Sequence, residues 1–287
     1  MTFSRGLTPA FVEELKHGRF APLLSTAKAQ QLDIQIRNRY LDFYANGQRA
    51  LNLKEMSQAQ RYRALLHWKY LAGLEPPGGS TRMVDGQYLC FEASDAFTTE
   101  CLALLPAIVS NARSYATAEG TVEERMIGAS FLPDSPAVFF DRQVEVPGTR
   151  LRADLLGLGP AADGVPQILL VELKHKLNNS IQRLMGQVEA YYRLIAPTGT
   201  LAPDVLASYR RVISQKHELG LLPPHIALPE DAPRVACLLV LYDYNDRSRL
   251  LPRLRVSARG SSLPVQLVCL EADTYTLPTP ECWEKLT

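Results

Sequence analysis

Two stretches of the chain carry charged side chains where a buried strand calls for apolar ones. In QILLVELKH, over 167–175, strand alternation sets Ile168, Leu170, Glu172 and Lys174 on one face and Leu169, Val171 and Leu173 on the other. The first face is apolar until it presents a carboxylate and an ammonium side by side. A polar pair at the end of a buried strand is costly unless it is partnered. TRLRADLLGL, over 149–158, shows a similar lapse, with Asp154 among Leu151, Leu155 and Leu156. The two stretches are joined by the short loop GPAADGVP at 159–166 and are expected to pair as a hairpin, bringing Asp154 and Glu172 within reach of one cation. Two carboxylates and a carbonyl form a hard oxygen donor set suited to Mg²⁺, which binds at about 2.0–2.1 Å and keeps several waters. The Leu173 carbonyl, between the two charged residues, is the natural third ligand. Lys174 then lies beside a water on the ion, where it can hold that water for attack or stabilise charge on a phosphoryl oxygen.

The elements that must position these residues follow from periodicity and turn signals. A helical stretch is expected over 95–131, broken near Gly120. Strands follow at 137–146, 149–158 and 167–175, the first two linked by a Pro147-Gly148 turn. A helix over 179–195 ends before Pro197, and a second spans 204–220. RVACLLVLYDY at 234–244 and LPVQLVCLEA at 263–272 read as buried strands. Helix, three strands, helix, strand is the order of an α/β protein with a mixed sheet and helices packed on it. Ahead of this, residues 9–30 read as helical, and 32–37, 40–44 and 50–53 as strands. Asn46-Gly47 is a hairpin signal because both residues tolerate positive φ. The stretch 57–73 reads as an amphipathic helix closed by Gly73, followed by a Pro/Gly-rich break over 74–86. The expected division is an N-terminal α+β region over 1–94, serving substrate selection or dimerisation, and a second domain over 95–287.

Arg152-Ala153-Asp154, then Glu172-Leu173-Lys174 on the adjacent strand, within this order of elements, resembles the PD-(D/E)XK (restriction-endonuclease-like) nuclease superfamily. Ala153 stands where that motif often has proline. The following helix carries Gln187-Val188-Glu189-Ala190-Tyr191, similar to the Gln-x-x-x-Tyr element of the RecB-like and Cas4-like branch. Gln187 and Tyr191 are one helical turn apart and can face the site together, and Gln182 is a second candidate. The superfamily's first helix often adds a carboxylate; Glu123 or Glu124 matches, with Glu124 favoured. The resemblance covers about residues 115–245. It implies an αβββαβ core with Asp154, Glu172 and the Leu173 carbonyl on the metal. Lys174 acts on the water, Glu124 assists, and Gln187 and Tyr191 position the lysine or a phosphate. The implied activity is phosphodiester hydrolysis in nucleic acid, DNA before RNA, with Mg²⁺ or Mn²⁺, in restriction, repair or defence. The alternative is the same fold without turnover, binding nucleic acid or a partner protein; a homodimer fits either.

Composition narrows the rest. With 287 residues, 46% hydrophobic and 21% charged, the chain can bury a sizeable core without disulfides. Net charge is +1, so there is no global attraction to nucleic acid, which leaves a local basic cleft open. No apolar run reaches membrane-spanning length and the start lacks a signal-peptide layout, so a cytoplasmic location with no membrane partner is expected. Five scattered cysteines form no Cys-x-x-Cys pair. A Gly-x-Ser-x-Gly elbow, a Walker-type loop and a His-Glu-x-x-His motif are all absent from the sequence. Blander roles suit other polar residues. His175 is read as structural, arginines 247, 249, 253, 255 and 259 as solvated surface, Tyr40, Phe43 and Tyr44 as packing, and Cys237 and Cys269 as small buried hydrophobes.

Overall fold

The computed structural model describes residues 3–57, 61–78, 82–145, 152–161, 164–176, 181–196, 199, 202–229, 234–244 and 247–287, the side chains of 181–183 excepted. Internal contacts divide the chain into two units. One comprises Ser4–Glu124 with Ser214–Leu221; the other comprises Met1–Phe3, Arg125–Ile213 and Leu222–Thr287.

The N-terminal unit opens with helices α1 (Pro9–Lys16) and α2 (Ala21–Ala29). Thr8 caps α1 by accepting the Phe11 N–H, and Pro9 occupies the first turn, where its missing N–H costs nothing. Strands β1 (Asp33–Ile36), β2 (Tyr40–Ala45), β3 (Gln48–Glu55), β4 (Tyr62–His67), β5 (Arg82–Val84) and β6 (Tyr88–Glu92) form an antiparallel sheet in the order β1-β2-β3-β4-β6-β5. Asn46 and Gly47 turn β2 into β3 with φ of 48° and 78°, the conformation their types favour. The stretch 57–73 is not a helix. Tyr62, Ala64 and Leu66 are buried while Arg63, Leu65 and His67 are half-buried, a period of two, and only Trp68–Leu71 coils, as a 3₁₀ turn. Tyr62 is drawn into the core by the Phe11 and Phe20 rings, 4.9 and 5.0 Å away. The Pro/Gly-rich break over 74–86 contains β5 and leads directly into β6.

Helix α3 (Asp95–Ser114), capped by Ser94, packs against β2, β3 and the 3₁₀ turn. Helix α4 (Ala118–Ser130) follows after a break at 115–117. By internal contacts residues 95–124 group with the N-terminal sheet, and the boundary between the two units falls inside α4.

The C-terminal unit is built on β7 (Val138–Glu145), β8 (Arg152–Pro160), β9 (Pro166–His175), β10 (Val235–Tyr242), β11 (Val265–Leu270) and β12 (Glu284–Lys285). The order is β12-β11-β10-β9-β8-β7. Pairings are antiparallel except β9–β10 and β10–β11, so the sheet is mixed. The Pro147-Gly148 turn lies outside the described residues. Helix α5 (Ile181–Ile195) lays Leu184, Val188, Tyr191 and Ile195 on β8, β9 and β10, a stripe at helical spacing. Helix α7 (Leu250–Arg259) packs beside α5 through Leu251, Leu254 and Ala258. Helix α6 (Ala202–Glu218) buries Tyr209, whose ring lies 5.4 Å from Phe140 and whose hydroxyl donates to Asp141 Oδ2 at 2.6 Å. The general α/β architecture, a mixed sheet flanked by helices, is as expected. With helices covering the sheet, every residue of β10 and seven of the ten in β9 are buried. Each such apolar side chain stabilises the fold by about 1.5–3 kcal/mol relative to exposure.

Candidate active site

The β8–β9 ladder runs in register from Pro160↔Pro166 to Leu155↔Val171. Continued by one pair, it sets Asp154 opposite Glu172. At that point side chain replaces main chain: Asp154 Oδ2 accepts the Leu173 N–H at 2.8 Å. A ladder amide is thus satisfied by a carboxylate, which also fixes that carboxylate's orientation. On the parallel side of β9, Glu172 lies beside Leu239 and Lys174 beside Leu241, an apolar wall that keeps water from the cluster's flank.

Three oxygens converge on one positive centre. Lys174 Nζ lies 2.8 Å from Glu172 Oε1, 2.9 Å from the Leu173 carbonyl oxygen and 3.8 Å from Asp154 Oδ2. Glu172 is 4% exposed and Asp154 9%, so both carboxylates are held largely out of water. The Lys174 side chain, at 21%, keeps one side open to solvent. The ammonium is thus paired with one carboxylate and one main-chain carbonyl, with the second carboxylate farther off.

Tyr191 holds the start of β8. Its hydroxyl accepts the Arg152 N–H at 2.5 Å and donates to the Arg152 carbonyl, two residues before Asp154. Burial, reinforced by the Glu172 charge, pushes the phenol up to about 12, so it stays protonated through neutral pH. Tyr191 is therefore a positioning residue for the strand that carries Asp154.

The other expected residues are each described by their own surroundings. Gln187 is exposed on α5, outside the buried stripe that contains Tyr191. The Gln182 side chain lies outside the described residues. Glu124 belongs to the N-terminal unit, where its Oε1 and Oε2 accept the Asn46 and Gly47 N–H groups of the β2–β3 turn at 2.8 Å each. That bond is possible because Gly47 and Gly120 meet backbone to backbone: a Cβ on Gly47 would come 2.5 Å from Gly120 Cα. Glu123 is buried in the same unit. His175 pairs with Asp243 at 3.5 Å, which also takes Lys176 at 3.2 Å. Arg255 is bidentate to Glu284 on β12, at 2.7 and 2.8 Å, and so pins α7 to the sheet edge.

Gln143 escaped the sequence reading. The pairs Arg142↔Leu155 and Val144↔Ala153 bracket it opposite Asp154, and it takes a left-handed φ of 49°. Its signal was present as the polar run Asp141-Arg142-Gln143 inside an apolar strand, the same kind of lapse that marked Asp154.

No family model matches this chain, and neither a curated protein nor a solved structure is detectably similar to it. Among the described residues, no group of three or more His, Cys, Asp or Glu side chains stands ready for a metal. The cluster supplies two carboxylates, one carbonyl and one ammonium. Its acceptors are oxygens alone, unlike the Cys and His sets of a closed structural zinc site.

Proposed function

We propose that the chain is a metal-dependent nuclease of the restriction-endonuclease-like kind, hydrolysing phosphodiester bonds in nucleic acid, DNA before RNA. The observation that carries the reading is the convergence of Glu172 Oε1, Asp154 Oδ2 and the Leu173 carbonyl on a single cationic centre at the solvent-facing end of β9. The order helix α4, strands β7, β8 and β9, helices α5 and α6, then strand β10 supports the reading.

Asp154, Glu172 and the Leu173 carbonyl would hold Mg²⁺ or Mn²⁺. When bound, such an ion neutralises phosphoryl charge and makes water a stronger nucleophile. The protein residues divide the remaining tasks. Asp154, tied to the Leu173 N–H, and Glu172, on the next strand, fix two negative charges before any substrate arrives, so little reorganisation is needed at the moment of reaction. Lys174 has three N–H donors and is partly open to solvent; against a phosphodiester it donates to a non-bridging oxygen or holds the attacking water. Tyr191 keeps β8 in place. The apolar neighbours Leu239 and Leu241 lower the local polarity, which strengthens each of these interactions.

A rival reading, the same fold binding without cutting, draws on the cluster's having only two acidic side chains among the described residues. Incubation of the full chain with linear, circular and single-stranded DNA and with RNA, in Mg²⁺, Mn²⁺ or EDTA, separates the two. Cleavage that needs the ion and disappears in both Glu172→Ala and Lys174→Ala is expected. Retention of a bound strand with no products would favour the rival, and cleavage undiminished in the variants would sink the assignment of these residues.

A further inference from the structure

We propose that the N-terminal unit carries a separate binding site, an arginine-lined cavity that takes the phosphodiester backbone of a single-stranded nucleic acid. The cavity, of about 480 Å³, is lined by Arg61, Arg63, Arg82, Cys90 and Glu92 among others. It is large enough for one nucleotide unit, and its Arg63, Arg82, Cys90 and Glu92 share one face of the antiparallel sheet.

Register explains why the charges gather. Lys54, Arg63 and Glu92 stand in one row across β3, β4 and β6; Leu65, Cys90 and Arg82 form the next row across β4, β6 and β5. Side chains directly opposite one another share a face, so Arg63 and Arg82 are brought to one surface from strands that are not neighbours. Three guanidinium groups thus line a cavity with one carboxylate. The pair that carboxylate makes, Arg61 to Glu92 at 3.4 Å, joins two exposed side chains and contributes little. Arg63 Nε is buried and meets no acceptor among the described residues. A buried guanidinium donor without a partner costs free energy that an anion removes. The fork of a guanidinium matches two oxygens of a phosphate.

Aromatic rings flank the cations on the same sheet. Arg49 lies over the Tyr88 ring at 4.7 Å and Lys54 over Tyr40 at 5.8 Å, both tyrosines half-buried. Rings interleaved with cations suit a strand whose bases are free to stack and disfavour a duplex, whose bases are already stacked. The choice of a nucleic acid strand among phosphate-bearing ligands rests on the nuclease reading; the anion site itself does not.

The test uses the full chain in EDTA, which silences metal-dependent cleavage, with a fluorescent 12-nucleotide single-stranded DNA read by anisotropy. Three phosphate contacts give a slope of log affinity on log salt of about −2 for a single strand, so binding weakens roughly 20-fold between 50 and 200 mM salt. Arg82→Glu, at an exposed position that tolerates change, is expected to lower affinity at least tenfold. Arg63→Ala is expected to reduce the slope by about 0.7, with its melting curve as the check on folding. Unaltered binding in Arg82→Glu, or no binding at low salt, overturns the site. Thymidine monophosphate bound as tightly as the 12-mer, or a duplex bound better, overturns the strand assignment. Absent cleavage beside intact, arginine-dependent binding would count against the nuclease reading alone.

Discussion

Lys174→Met separates a metal site from an ordinary buried ion pair. In the wild type the ammonium occupies the oxygens that the proposed divalent ion would need, 2.8 Å from Glu172 Oε1 and 2.9 Å from the Leu173 carbonyl. Metal binding must displace it, at the cost of a charge-assisted hydrogen bond of about 1.5–3 kcal/mol. Methionine has no charge and nothing to displace. With 1.4 kcal/mol per factor of ten, Mg²⁺ should bind Lys174→Met about 10- to 100-fold more tightly than wild type. The same substitution leaves Glu172, at 4% exposure, buried without its cation. Loss of one member of a buried pair costs roughly 3–5 kcal/mol, about 6–20 °C in Tm for a domain of this class. Divalent ion should then recover much of that loss: at a thousand times Kd it contributes about 4 kcal/mol. Calorimetric titration with Mg²⁺ and melting curves with and without EDTA read both effects. The reasoning fails if Lys174→Met binds no metal, or if its Tm is low and indifferent to Mg²⁺; the cluster would then be an ion pair and no more.

Tyr191→Phe removes both bonds to the Arg152 backbone and is expected to cost about 1–3 kcal/mol in a denaturant titration; a loss under 0.5 kcal/mol would show that β8 is held by other means. Tyr62, Tyr70 and Tyr191 are each raised to about 12, chiefly by burial. Unfolded tyrosine deprotonates near 10, so above that pH the folded state binds more protons than the unfolded state. Stability is therefore whole below pH 10 and falls between about 10 and 12, visible as unfolding coincident with tyrosinate absorbance. All twelve tyrosines titrating near pH 10 while the fold persists would contradict this. Glu124→Ala is expected to destabilise the N-terminal unit by about 1–3 kcal/mol, since two turn amides lose their acceptor. Glu124→Gln recovers part of this in the same urea melts, and equal stability of all three proteins would refute the turn-clamping role.

Legibility of the sequence depended on how local the determining physics was. The β2–β3 hairpin, β9 and β10 were readable because turn chemistry and continuous apolar runs decide them within a few residues. The strand at 62–67 was lost because Arg63, Leu65 and His67 made a helical stripe look as good as an alternating one. Pairing with β3 and β6 chose between them, and β6 follows a Pro/Gly-rich break that hid it. Asp154, Glu172 and Lys174 were legible as polar residues in apolar strands, and the hairpin register that aligns them followed from the short loop. Glu124 was not legible in its observed role. A helical carboxylate looks alike whether it faces solvent, a site or a turn, and the Gly47–Gly120 approach that decides the matter spans more than seventy residues.

Stability does not account for the cluster at the end of β9. Apolar residues of similar volume in place of a buried ion pair are often neutral or stabilising by about 1–4 kcal/mol, and the strand around Glu172 is otherwise all aliphatic up to Leu173. The geometry also exceeds what a simple pair needs. Asp154 is 3.8 Å from the ammonium, beyond hydrogen-bonding range, and its Oδ2 is committed to the Leu173 amide. A carboxylate built only to neutralise Lys174 would approach it as Glu172 does. Here Asp154 is held back by a main-chain bond, while the adjacent carbonyl lies 2.9 Å from the same ammonium. The proposed divalent ion would take the same oxygens, so the response of Lys174→Met to Mg²⁺ decides between chemistry at the cluster and a folding role.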